Sequence, residues 1–350
     1  MIEEGEREPA TTRIILGPMV LREVWKSMSV PNPLAHSILD LIGGTPLLEL
    51  HRCVAARGLQ GRLLAKLELF NPAGSKKDRA ALEIIKQAKA EGLLVDGQTV
   101  VELTSGNMGA GLAIVCRALG HPFVAVISQG NSVERIRQMK ALGAEVVIVD
   151  QSPGSIPGQV SGADLALVED RAKAVVAEHQ AFRADQFVRE ANCLAHERTT
   201  GPEIWDQSGG EVDVFLDLVG TCGTYTGVAR ALRIKNQAIR TYLVEPAGAA
   251  VLAGLPVTQP RHKLQGAGYG RTNLALFDPA LVTGYLQVTD SEAEEAARFL
   301  AAEEGILAGF STGANLAAAW QLLAGPESGA TIAFLACDSG LKYLSTDLFP

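Results

Sequence analysis

Two short segments combine hydroxyl, amide and glycine residues in patterns that suit anion binding. Residues 104–107, Thr-Ser-Gly-Asn, follow the apolar run 100–103 and precede a helical pattern. Residues 220–224, Gly-Thr-Cys-Gly-Thr, follow the run 215–219 and open another helical pattern. Free backbone N–H groups at a helix N-terminus bind carboxylate and phosphate groups. Both segments are therefore candidate anion sites, although Ser, Thr and Asn are also ordinary helix N-caps.

The spacing of the second segment limits what it can bind. No Gly-Lys-Ser/Thr follows it, so it does not match the nucleotide P-loop. Its glycines, Gly220, Gly223 and Gly227, are not spaced as in the dinucleotide fingerprint G-x-G-x-x-G. A cofactor that carries a phosphate and is smaller than a nucleotide fits this segment better, and the alternative is a simple glycine-rich turn.

Residues 71–79 form a third candidate, a turn running into a helix that begins near Ser75. This segment contains the adjacent lysines Lys76 and Lys77. Lysine is unfavourable at the positive end of a helix dipole, so a lysine there suggests a function, although two adjacent lysines can simply be solvated. Burial lowers the pKa of a lysine amine and frees it to attack an aldehyde. One of the two is therefore a candidate Schiff-base amine beside a bound phosphate ester.

These segments lie between alternating apolar and helical patterns. The predicted strands are residues 100–103, 123–127, 144–149, 212–218, 240–244 and 331–336, and the predicted helices are 108–119, 132–142, 165–179, 225–234, 292–304 and 313–323. This alternation is typical of parallel sheets covered by helices, which bind ligands at the carboxyl ends of their strands. Residues 151–164, rich in Gly, Pro and Ser, are a predicted loop or lobe boundary.

Composition excludes several classes of protein. The net charge is −8 and the sequence has no long basic run, which argues against nucleic acid or an anionic membrane as a partner. The five cysteines are scattered, and the histidines lack metal-ligand spacing, so we predict buried thiols and no metal site. The acidic N-terminus does not resemble a signal peptide, and a cytoplasmic enzyme is the expectation.

The chain resembles the fold-type II pyridoxal 5'-phosphate (PLP) enzymes, in the cysteine synthase and cystathionine β-synthase family. The matching segments extend from about Ile38 to Phe349, and besides the three above they include 42–47, 199–205, 262–266, 309–313 and 343–346. The resemblance implies an α/β fold like that of the tryptophan synthase β subunit, with the cofactor in a cleft between two lobes. It implies an N-terminal extension (1–36), a smaller mobile substrate-binding lobe (80–185) and a larger PLP-binding lobe (37–79 plus 186–350).

The resemblance also implies a role for each candidate residue. Its S-x-K-D-R pattern places the cofactor lysine and α-proton base at Lys77, not Lys76. Ser311 is implied to face the pyridine nitrogen, where a neutral group makes the ring a weaker electron sink than an aspartate does. The other implied cofactor contacts are Asn107 at the phenolic oxygen and Gly220, Thr221, Cys222, Gly223 and Thr224 at the phosphate. The implied substrate contacts are Thr104, Ser105, Gly106, Met108, Gln186 and Gly266.

The implied reaction is β-replacement on an O-activated L-serine through an aminoacrylate, with cysteine synthesis from O-acetylserine and sulfide as the first expectation. The alternatives are β-cyanoalanine synthase, a cystathionine β-synthase-like or other β-substitution, a β-eliminating lyase, or a non-catalytic relative that binds a partner. The family implies a homodimer and, in some members, serine acetyltransferase as a partner. Two residues depart from the usual pattern: Met108 replaces a threonine and Cys222 a glycine.

Overall fold

The computed structural model describes residues 34–155, 158, 160–268 and 270–350 of the chain. The predicted N-terminal extension therefore lies almost wholly outside the described residues. The fold presented below is that of Ser37–Pro350, which forms one unit by its internal contacts. None of the described helices has the length and apolar character needed to cross a membrane.

The strands of the described residues belong to two sheets. In chain order they are β1 (Leu47–Glu49), β2 (Arg62–Leu67), β3 (Val100–Leu103), β4 (Phe123–Ser128), β5 (Glu145–Val149), β6 (Phe182–Arg183), β7 (Val214–Leu218), β8 (Arg240–Pro246), β9 (Gly284–Val288) and β10 (Thr331–Ala336). The larger sheet has the order β1-β2-β10-β7-β8-β9, and only β1 is antiparallel to its neighbour. The smaller sheet, β5-β4-β3-β6, is parallel throughout.

Helices connect and cover these strands. They are α1 (His51–Ala55), α2 (Lys77–Ala90), α3 (Asn107–Leu119), α4 (Val133–Ala141), α5 (Gly162–His179), α6 (Ala191–Ala195), α7 (Gly201–Gln207), α8 (Gly223–Lys235), α9 (Asp290–Glu304) and α10 (Phe310–Leu323). A π-helical turn, His196–Thr200, joins α6 to α7. Every residue of β3, β4, β7 and β10 is buried, as expected for parallel strands with helices on both faces.

The sequence predictions agree with this architecture, and their errors lie at the ends of particular helices and strands. The α/β class is confirmed, and β3 and β10 coincide with the predicted strands residue for residue. Helix α5 begins at Gly162 rather than at 165 because the Ser161 hydroxyl accepts a hydrogen bond from the Asp164 N–H, and the Asp164 carboxylate accepts one from the Ser161 N–H. The predicted loop 151–164 is therefore too long by its last three residues.

Several elements were not predicted at all, namely β1, β2, β6, β9, α1, α6 and α7. Strand β2 was missed although five of its six residues are buried. It contains Lys66, a fully buried lysine whose amine pairs with Glu203 at 2.7 Å. All four strands of the smaller sheet lie between Val100 and Arg183. The division into lobes and the mobility of residues 80–185 stay predictions.

The cores of both sheets consist of aliphatic side chains with few aromatic ones. All five cysteines are buried and unbridged, which confirms their interpretation as small core residues. No cluster of His, Cys, Asp and Glu among the described residues is arranged to hold a metal ion.

An ion pair anchors the start of α2, the helix that carries Lys77. The Arg79 guanidinium donates to both oxygens of Glu68, through Nε and Nη2 at 2.8 Å each. It also donates through Nη1 to Glu203 at 2.6 Å. The Arg79 and Glu68 side chains are 2% and 0% exposed, so each charge depends on the other for compensation. The first turn of α2 is thereby held in place on the larger sheet.

Replacing Arg79 with leucine is expected to lower the free energy of unfolding by about 3–5 kcal/mol, since it leaves the buried Glu68 carboxylate unpaired. Denaturant unfolding followed by circular dichroism measures the change. Arg171→Leu is the matched control because Arg171 pairs with Glu178 at the surface, where loss of the pair should not be measurable. Equal effects of the two substitutions would contradict the assigned role of the buried pair.

Candidate active site

A cavity lies where the carboxyl ends of β3 and β7 face each other. It contains most of the residues singled out in the sequence, brought together from segments far apart in the chain. Its wall includes Lys77, Thr104, Ser105, Asn107, Met108, Gln186, Gly220, Thr221, Cys222, Thr224, Gly266 and Ser311. Gly106 and Gly223 belong to the same loops without lining the cavity.

The loop between β3 and α3 is shaped by its threonine. Thr104 Oγ1 accepts hydrogen bonds from the N–H groups of Gly106 and Gly109, at 2.9 and 3.0 Å. Gly106 caps the helix with φ +127°, and a Cβ there would lie 2.5 Å from Cδ of Arg135, so only glycine fits. The loop presents the first turn of α3 to the cavity, and a first turn has N–H groups free for an anion.

The loop between β7 and α8 forms a second anion seat. A Cβ on Gly220 would lie 2.6 Å from the carbonyl oxygen of Gly266, so the backbone approaches closely here. The Thr221 hydroxyl accepts a hydrogen bond from Asn192 Nδ2 at 2.9 Å. Helix α8 begins directly after this turn. The turn and the helix N-terminus together fit a phosphate group.

Cys222 occupies a left-handed conformation in this loop, with φ +67° and ψ −13°. A side chain at such a position is strained relative to glycine, the residue that the usual family pattern has here. The Cys222 side chain is 3% exposed and packs with Cys193 and Tyr225 in the core of the larger sheet. Burial raises the pKa of its thiol far above the usual value, which disfavours the nucleophilic thiolate.

Met108 follows the loop on α3 and is 2% exposed. It lines the cavity and also belongs to the core between α2, α3 and the smaller sheet. This placement supports a packing role for the methionine.

Lys77 is the first residue of α2, and its Nζ lies 3.5 Å from the Thr221 hydroxyl. Burial lowers the pKa of its amine to about 8, and the charge of Lys76 acts in the same direction. Lys76 is not solvated either, since its amine contacts Asp217 at 2.6 Å. The two adjacent lysines thus differ: Lys76 is ion-paired, whereas Lys77 has an amine whose pKa, about 8, lies close to physiological pH.

A hydrogen-bonded chain behind Asn107 was not foreseen. Asn107 Nδ2 donates to Asp338 at 2.7 Å, and Lys342 Nζ donates to Asn107 Oδ1 at 2.7 Å. The Tyr343 hydroxyl also donates to Asp338, at 2.7 Å. These contacts fix which end of the Asn107 amide is the donor. One N–H of the Asn107 amide remains available for a ligand in the cavity.

The same chain reaches Ser105, in the loop that precedes Asn107, through a buried arginine. Arg135 donates through Nη2 to the Tyr343 hydroxyl at 2.6 Å and through Nη1 to the Ser105 carbonyl at 2.5 Å. Its side chain is 2% exposed. Ser105 is therefore tied to the segment 338–343, which lies more than two hundred residues away in sequence.

Gln186 is positioned by a buried carboxylate. Its side-chain amide donates to the Leu103 carbonyl at 3.3 Å, at the end of β3. The Glu102 carboxylate accepts from the backbone N–H of Asp185 at 2.7 Å and of Gln186 at 3.4 Å. Burial raises the pKa of Glu102 to about 7, although these hydrogen bonds favour the charged form.

His196 lies in the π-helical turn and was not singled out from the sequence. Its ring contacts the hydroxyls of Thr224 and Thr200, at 3.2 and 2.9 Å. Burial, followed by the nearby charges of Arg79 and Lys76, lowers the pKa of His196 well below 6.5. The ring is therefore neutral at physiological pH, and it fixes the orientation of the Thr224 hydroxyl in the anion seat.

Comparison with known proteins assigns this cavity to a family. The pyridoxal-phosphate-dependent enzyme family matches residues 38–338. Cysteine synthase 3 of Caenorhabditis elegans is 40% identical over 312 residues, covering 89% of this chain and 88% of the relative. O-ureido-L-serine synthase of Streptomyces lavendulae is 38% identical over 318 residues, covering 91% and 93%. A solved cysteine synthase structure from Entamoeba histolytica matches with a TM-score of 0.83 at 34% identity, covering 92% of both chains.

The chain belongs to the pyridoxal-phosphate-dependent enzymes, in the branch that carries out β-replacement. The predicted family, fold type and cofactor are thereby confirmed. The residues present fit that cofactor: the cradle at Gly220 is closed by the backbone of Gly266, and the amine of Lys77 lies within 3.5 Å of the same loop.

Lys77→Ala is expected to abolish the absorbance band of lysine-bound PLP in the purified protein, because Lys76, the adjacent lysine in the cavity wall, is held in its ion pair with Asp217. Lys86→Ala is the matched control, since Lys86 is an exposed lysine on the same helix. Absorption spectra of the wild-type protein and of both variants at equal concentration show whether the band depends on Lys77. A band that persists in Lys77→Ala would assign the cofactor to a different lysine.

Proposed function

We propose that this protein is a cysteine synthase, which converts O-acetyl-L-serine and hydrogen sulfide into L-cysteine and acetate. The observation that carries the proposal is the position of the Lys77 amine in one cavity with two helix N-termini. One of these suits a phosphate and the other a carboxylate. An amino acid whose carboxylate is held by the loop 104–107 has its α-carbon in the same small cavity as that amine.

The residues that hold the cofactor are those named from the sequence. Gly220 to Thr224 would bind the phosphate, Asn107 would donate to the phenolic oxygen, and Ser311, the second residue of α10, would face the pyridine nitrogen. Bound there, PLP supplies the electron sink that makes the α-proton of the amino acid acidic. A neutral hydroxyl at the pyridine nitrogen would make the ring a weaker electron sink. This favours prompt loss of the β-substituent rather than a long-lived carbanion.

Lys77 has two tasks, cofactor anchor and base. With a pKa of about 8, its amine is within reach of the neutral form at physiological pH and can take the α-proton of the bound substrate. After the β-substituent has left and the nucleophile has added, the same amine returns the proton to the α-carbon. Thr104, Ser105 and Gln186 hold the substrate carboxylate, and closure of the predicted lobe 80–185 excludes water from the reaction.

A second candidate differs only in the nucleophile. A cavity of about 180 Å³ adjoins the first and shares Ser105, Gln265 and Gly266 with it. Three residues in its wall have a buried acceptor that finds no partner among the described residues: Asn131 Oδ1, His262 Nδ1 and Gln265 Oε1. His262 Nε2 lies 3.0 Å from the Gly268 carbonyl and must donate to it, so Nδ1 has a free lone pair.

Unpaired acceptors favour a neutral nucleophile with several N–H or O–H donors over an anion such as sulfide. The similar enzyme from Streptomyces lavendulae is named for an O-ureido-L-serine product. β-Replacement with hydroxyurea as the nucleophile would form such a product. Hydroxyurea, rich in such donors, is therefore our second candidate. The non-catalytic alternative has no comparable support.

The family resemblance supports three further proposals: a homodimer, a cytoplasmic location and serine acetyltransferase as a partner. Sedimentation of the purified protein, alone and with a serine acetyltransferase, tests the first and the third.

O-acetylserine, and not O-phosphoserine, is expected to change the cofactor absorbance of the wild-type protein within one turnover. Sulfide, cyanide, homocysteine and hydroxyurea are then offered singly, and the products are identified by mass spectrometry. Cysteine as the fastest product supports the first candidate, and O-ureidoserine the second. If neither donor changes the spectrum, β-replacement on an activated serine is the wrong reaction. Lys77→Ala serves as the blank.

Asn131→Ala is expected to lower kcat/KM for hydroxyurea by about threefold to tenfold and to leave the value for sulfide unchanged, since only hydroxyurea has an N–H donor for this acceptor. Gln129→Ala is the matched control, an exposed amide two residues away. A parallel loss with both nucleophiles would show that Asn131 merely supports the loop.

A further inference from the structure

The ion pair between Lys76 and Asp217 lies in the wall of the active-site cavity beside Lys77. Lys76 occupies the variable position of the S-x-K-D-R pattern, immediately before the cofactor lysine. Its Nζ lies 2.6 Å from Asp217 Oδ2, and the two side chains are 12% and 2% exposed. An ammonium and a carboxylate removed from water to this extent interact much more strongly than a surface pair does.

Asp217 is held rigidly at the end of β7. Asn315, one helical turn after Ser311 on α10, donates through Nδ2 to Asp217 Oδ1 at 3.1 Å. The Cys337 thiol lies 3.7 Å from the same oxygen. Asn315 is itself fixed, because its Oδ1 accepts from the Leu218 N–H at 2.7 Å. The carboxylate therefore has a fixed place, and it fixes the Lys76 ammonium in turn.

Both lysine amines reach the same strand end. Lys76 contacts Asp217 in β7, and Lys77 contacts Thr221 in the loop that follows. We propose that the Lys76–Asp217 pair is an electrostatic positioning device, in which the fixed ammonium of Lys76 increases the fraction of the neighbouring Lys77 amine that is neutral and reactive. The proposal rests on Lys77 being the cofactor lysine, as proposed above.

The other charged groups around Lys77 do not favour the neutral form of its amine. Asp217, Cys337 and Glu102 all act to raise the pKa of Lys77. Burial keeps the Cys337 thiol protonated, and it raises the pKa of Glu102 to about 7, which halves the charge of Glu102 near neutral pH.

His196, the remaining titratable group nearby, is neutral at this pH and adds no charge. After burial itself, Lys76 is the group that most favours the neutral amine. Its own pKa is held above the usual value by Asp217, against the effect of burial, so it keeps its charge throughout the working range of Lys77.

The charge state of Lys77 decides whether it can load the cofactor. In loading, the amine nitrogen bonds to the aldehyde carbon of PLP, and one water leaves with the aldehyde oxygen and two amine hydrogens. Only the unprotonated amine has the lone pair for this attack. The pH at which loading reaches half its maximum rate therefore reports the protonation of Lys77 and does not depend on any amino-acid substrate.

The test is the pH dependence of PLP loading onto the full-length apoprotein, followed by absorbance. In Lys76→Met the half-maximum is expected about one pH unit or more above that of the wild type, since the ammonium is lost and the Asp217 carboxylate is left to pair with Lys77. Lys76→Arg keeps the charge and should load like the wild type. Lys76→Met with Asp217→Asn removes both charges and should lie between the wild type and Lys76→Met.

The double variant separates charge from packing, because it retains the methionine of the single variant. The proposal is overturned if the pH of half-maximal loading in Lys76→Met is equal to or below that of the wild type. It is also overturned if the double variant has the same pH of half-maximal loading as Lys76→Met. If circular dichroism shows that Lys76→Met does not fold, the double variant alone tests the proposal. Its pH of half-maximal loading must then be higher than that of the wild type. A wild-type protein that does not load PLP at all would instead overturn the assignment of the cofactor and the proposed function.

Discussion

The burial of a lysine amine is the constraint on which this active site depends. An ammonium loses much of its solvation when it is withdrawn from water, so burial by itself favours the neutral amine of Lys77. The surroundings add to that preference, since the same cavity contains two helix N-termini and a second lysine. The binding of an anionic phosphate in the adjacent loop offsets these positive potentials. The anionic cofactor is thus complementary to the positive potential of the site, and its aldehyde to the neutral amine of Lys77.

The fold supplies this environment through the meeting of two parallel sheets. Loops after β3 and β7 place helix starts on opposite sides of the cavity, and each loop depends on close backbone packing at Gly106 or Gly220. Polar bonds then lock the loops to distant segments. Arg135 ties Ser105 to Tyr343 and so couples the carboxylate loop to the group that orients Asn107. A displacement of the loop 104–107 therefore disturbs its contacts with the segment 338–343.

Much of this arrangement could be predicted because it is local in sequence. Strands β3 and β10 and the loops that follow β3 and β7 each have a pattern within about ten residues. The remainder depends on partners that are far apart in the chain. Lys76 and Asp217 are 141 positions apart, and Lys342 and Asn107 are 235 apart. No periodicity marks such pairs, and a buried lysine such as Lys66 even conceals the strand that contains it. For the same reason Lys76 and Lys77 were indistinguishable until a resemblance fixed the register.

The active-site cavity and the cavity that adjoins it differ in polarity. The residues that carry out the reaction steps are therefore distinct from those that can select the nucleophile. The inner end is rich in donors: the Lys77 amine, threonine hydroxyls and helix N-termini, which suit the phosphate and the carboxylate. The adjoining cavity has instead the unpaired acceptors of Asn131, His262 and Gln265. Removal of a proton and loss of a β-substituent need only the inner end. In the proposed reaction the nucleophile adds later, so substitutions among those three residues are expected to alter the choice of nucleophile and not the steps assigned to Lys77.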